Sequence, residues 1–282
     1  MQRKRKLSPS HVIHDLSTLI EWRITRQIHD GTKRKRASLY LIEARPAVDG
    51  QQLAEAQRTS KDCKSETRPP RDNLILKIFP DTRACEDDYN REVAANAELG
   101  RSSAIASPIT ARDAMFGNIS NSDLRWPRCY GTMKVPANVT EGEWTIGESS
   151  SEARRGIIFE YLVDLKMLQK DDVTEDLANE IKQLFTDLHA LKLLHRDHIN
   201  HAIWPLIGFN NLFLQRDDTG KKKLYILDFD KALVLGDTAR DKSRFADEAN
   251  RLQQILEQAT SKQDETKDLP AEVKRLLAGR GG

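Results

Sequence analysis

The chain has 282 residues, 38% of them hydrophobic and 31% charged, with a formal net charge of +2. That length suits one large domain or two lobes with a sizeable core, and so small a net charge gives no argument for strong nucleic-acid affinity from overall electrostatics. No run approaches the roughly 18 apolar residues of a membrane span. The basic start MQRKRKLSPS leads into no apolar segment of the secretory kind, and Cys63, Cys85 and Cys129 are too few and scattered for a disulfide framework or a metal knuckle. A reducing, intracellular setting, cytoplasmic or nuclear, is the expectation, with no membrane partner.

In chain order, residues 1–14 are a basic flexible tail, and Leu19 to Arg45 reads as two strands, LIEWRITRQI and ASLYLIEAR, joined by the polar turn HDGTKRKR. Residues 46–73 are polar and rich in turn formers, which predicts a mobile insertion before the strand LILKIF. After Pro80, the segment ACEDDYNREVAANAELG places Tyr89, Val93 and Ala97 four apart, with acids in its first turn and Gly100 as a stop, and so predicts a helix. Two irregular stretches, about 101–124 and 136–154, flank the short apolar RCYGTMKV, and GIIFEYLV then reads as a buried strand, which brings the strands to four or five.

The period then changes. Leu177, Ile181, Leu184, Phe185, Leu188 and Leu191 share one helical face, two strands NLFLQ and KLYILDF follow around RDDTGK, and helices about DEANRLQQILEQ and AEVKRLLAG close the chain. The division is therefore a strand-rich part over 15–160 and a helical part over 161–282, an α+β arrangement.

Charged groups stand at particular places on these elements. Lys77 is a lone cation in LILKIF, and Glu92 lies on the apolar stripe of the next helix, where a carboxylate is stranded unless a cation such as Lys77 meets it. Taken singly, each suits a surface charge. Asp197 follows the long helix directly, at a loop between the two parts, where a carboxylate can orient an attacking hydroxyl, and Arg196 beside it offers a positive fork to hold the loop. Asn211 begins one strand of the late hairpin and Asp228 ends the other, so both hard oxygens reach one edge, as magnesium requires. His195, His198 and His201 are three apart, but a zinc site wants a fourth ligand or supported water, and His195 is read instead as packing the loop.

In order, LILKIF, YNREVAANAEL, IIFEYL, LHALKLLHRD, NLFL and LYILDFD resemble the lysine strand, the αC helix, the hinge, the catalytic loop with its preceding helix, and the two metal-binding strands of the protein-kinase-like superfamily, over about residues 20–260. The resemblance implies a bilobal fold with an antiparallel β-sheet N-lobe and a truncated helical C-lobe. It further implies Lys77 and Glu92 as an ion pair, Asp197 as catalytic base, Asn211, in preference to Asn210, and Asp228 as metal ligands, and Glu160, Tyr161 and Leu162 as the hinge that meets adenine. Gly31 would be what remains of the glycine-rich phosphate loop. ATP and Mg2+ are the implied cofactors, with the γ-phosphate passing to a hydroxyl acceptor.

Three departures from the family pattern bear on that reading. Asn211 follows Asp197 by fourteen residues where the family has five, an insertion around HAIWPLIGF. Bulky cations fill the expected glycine loop. The motif DFD replaces DFG, with no APE sequence after it and only 52 residues beyond Asp230. A protein Ser/Thr acceptor is the first expectation. Small-molecule kinases of the aminoglycoside, choline or lipopolysaccharide-core type are the second, and a pseudokinase that serves as a nucleotide- or protein-binding scaffold is the third.

Overall fold

The computed structural model describes residues 13–31, 36–47, 71–102, 124–146, 153–197, 199–200, 208–216 and 220–261. The basic tail, the body of the insertion after residue 47, His198, His201 and the expected last helix AEVKRLLAG lie outside them. The described part is an α+β structure. It contains β1 (Ile20–His29), β2 (Ser38–Pro46), β3 (Arg71–Phe79), helix α1 (Arg83–Ser102), β4 (Cys129–Val135), β5 (Thr145–Ile146) and β6 (Arg154–Glu160). There follow β7 (Lys166–Met167), α2 (Glu175–Ala190), β8 (Leu193–Leu194), β9 (Ile199–Asn200), β10 (Gly208–Phe209), β11 (Leu212–Arg216), β12 (Lys222–Ile226), β13 (Leu233–Val234) and α3 (Ala239–Thr260).

The first six strands form one antiparallel sheet in the order β4-β6-β3-β2-β1-β5. Alternation along β3 decides what each face carries. Leu74, Leu76 and Ile78 enter a core with Ile20, Trp22, Ile42 and Met133, while Lys77 and Phe79 point to the other face, beneath α1. The helix packs there through Phe79, Cys85 and Ile157, with the Tyr89 ring edge-on to Phe79 at 5.4 Å. Further along, Ala95 and Leu99 of α1 enter a second core built by α2, α3 and the short sheet β12-β11-β7. One helix thus joins the small cluster on the second face of the sheet to the second core, and whatever it carries between them is held from two sides.

Local signals set the helix ends. The hydroxyl of Thr174 accepts from the Leu177 N–H at 3.2 Å to open α2, and Thr238 accepts from Asp241 in the same way at 3.2 Å to open α3. Four boundaries depart from the sequence reading. Helix α1 runs through Gly100 to Ser102, because buried Leu99 anchors its last turn and a helical glycine costs only about 1 kcal/mol. Strand β3 starts at Arg71, inside the expected insertion, where its backbone pairs with Ala44. Strand β5 lies within the expected irregular stretch. It pairs with Glu21 and Trp22 beside Trp144, whose ring is covered by the guanidinium groups of Arg45 and Arg23 at 4.1 and 5.0 Å. The last described helix is a single 22-residue element, longer than the segment DEANRLQQILEQ that announced it. None of the described helices is long and apolar enough to cross a membrane.

Candidate functional site

A cavity of about 620 Å³ lies where the second face of the large sheet meets the helical core. Lys77, Glu92, Asp197, Asn211 and Asp228 all line it, and the Glu160–Leu162 segment after β6 forms part of its wall. Residues 14 to 151 positions apart in the chain therefore converge on one volume.

Lys77 is the centre of the charge arrangement. Its Nζ stands 2.6 Å from Glu92 Oε2 and 2.6 Å from Asp228 Oδ1, and its side chain is only 9% exposed. Burial by itself would drive the ammonium toward its neutral form; the charges of Asp228, Glu92 and Asp230 reverse this and raise its pKa, so Lys77 stays charged. Burial pushes the Glu92 carboxyl up to about 7 against the downward pull of Lys77. Burial also works upward on Asp228, but the adjoining Lys77 ammonium prevails and holds that carboxyl below its ordinary range. Asp230, two residues on, is pushed up to about 6 by burial and by the charge of Asp228.

The loops around this centre adopt unusual backbone geometry. Five described non-glycine residues have positive φ, and three of them are Arg196 at 70°, Asn211 at 62° and Asp228 at 60°. Asn and Asp tolerate the left-handed region, whereas for Arg196 it costs on the order of 1–2 kcal/mol and needs external support. That support is Glu248 of α3, a residue the sequence reading missed. Glu248 is buried; its Oε1 accepts from the Arg196 N–H at 2.9 Å, and its Oε2 accepts from His189 Nε2 at 2.8 Å. The signal was present: Glu248, Leu252 and Leu256 recur at four-residue spacing, so the acid lies on the buried stripe.

The remaining loop contacts link these residues to one another. Asn211 donates from Nδ2 to the Asp197 carbonyl at 3.0 Å and stands 3.4 Å from its carboxylate. The Leu227 N–H donates to the Asn211 carbonyl at 2.9 Å, and the Leu227 carbonyl accepts from His195 Nε2 at 3.0 Å. His195 is fully buried, edge-on to Phe229 with ring centroids 5.0 Å apart, and burial holds its pKa below the ordinary value. Asn211 and Asp228 sit in the bends beside β11 and β12 rather than within those strands, which is how each reaches a left-handed conformation.

Two other expected residues stand apart from the cavity wall. The Arg196 side chain is exposed, and its backbone N–H is what enters the network. Gly31 closes its own turn: its N–H donates to Ser38 Oγ at 3.1 Å, its carbonyl accepts from the Arg36 N–H at 2.9 Å, and a Cβ there would lie 2.2 Å from the Ala37 carbonyl oxygen. This stretch instead offers the cavity Arg36 and His29.

Among the described residues no group of three or more His, Cys, Asp or Glu could hold a metal alone. Asn211 engages its neighbour through Nδ2 and Asp228 engages Lys77 through Oδ1, so each has one further oxygen of the hard type. Such a pair suits a small dication that takes its other oxygens from phosphate and water. No protein-family model matches the chain, and no curated protein sequence matches it.

Proposed function

We propose that this chain is an ATP- and magnesium-dependent phosphotransferase with the bilobal architecture of the protein-kinase-like superfamily. The observation that carries the reading is the buried Lys77 ammonium, 2.6 Å from both Glu92 and Asp228 on the wall of a cavity that Asp197 and Asn211 share. A charge triad of this kind costs desolvation and adds little to stability, so its position beside a ligand-sized cavity is better explained by phosphate recognition.

The roles follow from chemistry. Lys77 presents a permanent positive charge to the α- and β-phosphates, and Glu92 holds that ammonium in place. Asn211 and Asp228 would hold Mg2+, which supplies charge compensation for the phosphates when bound. Asp197 accepts or orients the proton of the acceptor hydroxyl, and Asn211, donating to its carbonyl, fixes the loop that presents it. The Glu160–Leu162 segment offers backbone groups to adenine.

A protein Ser/Thr is the first acceptor class. Small hydroxylated molecules are the second, because the chain passes from Asp228 through β13 to α3 at Ala239 with little structure available as a peptide platform. The backbone donors of the Gly31 turn, spent within the turn itself, favour a scaffold that holds nucleotide without turnover. Calorimetric titration of the purified chain with ATP, with and without magnesium, and turnover on a panel of protein and small-molecule acceptors separate the three. Binding without transfer to any acceptor or to water favours the scaffold, and no binding in either condition ends the nucleotide reading.

A further inference from the structure

We infer that Asp88, Arg91 and Lys231 form a clamp that ties α1 to the segment after Asp228 and thereby keeps Glu92 on Lys77; the purpose of the clamp rests on the phosphotransferase reading. Arg91 donates from Nε to the Asp230 carbonyl at 2.8 Å and pairs with Asp88 through its Nη2. Lys231 Nζ donates to the other oxygen of Asp88 at 2.7 Å and stands 3.8 Å from Asp230 Oδ2. Two side chains of one helix are thus fastened to the backbone and side chain of one short segment, Arg91 immediately before Glu92 and Asp88 one turn earlier.

The other holds on that half of α1 are Arg155 of β6, which pairs with Glu86 at 2.8 Å in an exposed position and covers the Tyr89 ring, and a small apolar cluster. That cluster consists of Phe79, Cys85 and Ile157, with Tyr89, Val93 and Phe159 around them, whereas the C-terminal half enters the large second core through Ala95 and Leu99. A lone exposed ion pair contributes little, but two cations sharing the Asp88 carboxylate, one of them also donating to the Asp230 carbonyl, fix a helix at a defined distance. Asp88, Arg91 and Lys231 are positioning residues: they act through Glu92.

Cys85, three residues before Asp88 and 3% exposed, reports the seating of α1. Alkylation of native full-length protein with iodoacetamide, read at Cys85 by peptide mass spectrometry, should speed up about tenfold in Asp88→Ala and Lys231→Met and stay within about twofold of wild type in Lys231→Arg. Amide exchange in α2, which lies in the other core, should not change. The Mg-ATP dissociation constant should rise about fivefold in Lys231→Met and hold in Lys231→Arg, because only the seated fraction is competent to bind. Unchanged Cys85 rates in both disrupting variants would overturn the clamp, as would a parallel rise of exchange in α2, the mark of general destabilisation. Should wild type bind no Mg-ATP, the phosphotransferase reading fails, while the Cys85 rates still decide the clamp.

Discussion

At the scale of single residues, the proposed reaction gives Lys77, Asp228 and Asp197, which line one cavity, different duties, so their variants should fail differently. Lys77→Met removes the charge that Glu92 and Asp228 surround, leaving two buried carboxylates facing each other, and should abolish most Mg-ATP affinity in calorimetry. Asp228→Asn should lose the magnesium-dependent part of that affinity, since a neutral amide holds a hard dication less well. Asp197→Asn should retain Mg-ATP and lose turnover by two or more orders of magnitude, the usual worth of a positioned base being about 10²–10⁴. Equal loss of binding in all three variants would place Asp197 among the nucleotide ligands instead.

His195 provides a pH prediction at the same scale. Its pKa is held down by burial, so the folded chain binds fewer protons than the unfolded one below 6.5. Stability from this group is complete above pH 6.5 and declines as pH falls through the depressed folded value. His195→Phe keeps a ring against Phe229 but removes the titration, so its urea-unfolding free energy should fall less than that of wild type between about pH 7.5 and 5.5. An identical fall in both proteins would show that other groups carry the acid sensitivity.

At the scale of elements, α3 supports the Arg196 loop through one carboxylate, beside the Leu252 and Leu256 it buries in the second core. Glu248→Ala leaves the Arg196 N–H and the His189 ring without their acceptor inside the fold, at a cost of about 1–3 kcal/mol, and frees Arg196 from its left-handed conformation. Denaturant midpoints should show the loss, and turnover should fall more than Mg-ATP binding because the loop released is the one bearing Asp197. Thr174→Ala is the control: it removes the cap of α2, should cost about 1 kcal/mol in the same assay, and should leave the ratio of binding to turnover unchanged. The element that couples the sheet's second face to the helical core is α1, which puts Tyr89 and Val93 on the first, Ala95 and Leu99 in the second, and Glu92 on the same helix.

At the scale of the whole molecule, the cavity joins the large sheet to the helical core, so a ligand bound there stabilises both together. Saturating Mg-ATP at about a hundred times its dissociation constant should add roughly 2.7 kcal/mol to the unfolding free energy, and ATP with a chelator should add much less. A thermal shift that does not depend on magnesium would separate nucleotide binding from the Asn211 and Asp228 oxygens. The two cores also explain which parts of the fold could be read in one dimension. Alternation in β3 and the four-residue stripes of α1 and α2 are local patterns, and their elements were recognisable within a few residues of their ends.

What the amino-acid sequence determined by itself was the inventory: an α+β chain, the order of strand-rich and helical parts, and charged residues placed where burial leaves them in need of partners. Lys77 inside an apolar strand and Glu92 on an apolar stripe announced each other, because an unpaired buried charge costs several kcal/mol. The tertiary structure decided what no local pattern encodes. It brought Asp228 within 2.6 Å of Lys77 across 151 positions, set Glu248 under Arg196 across 52, and turned Gly31 inward on Ser38. Sequence patterns record which face a residue occupies, whereas hydrogen bonds between distant loops depend on how the two cores meet, and that contact is made only when the whole chain closes.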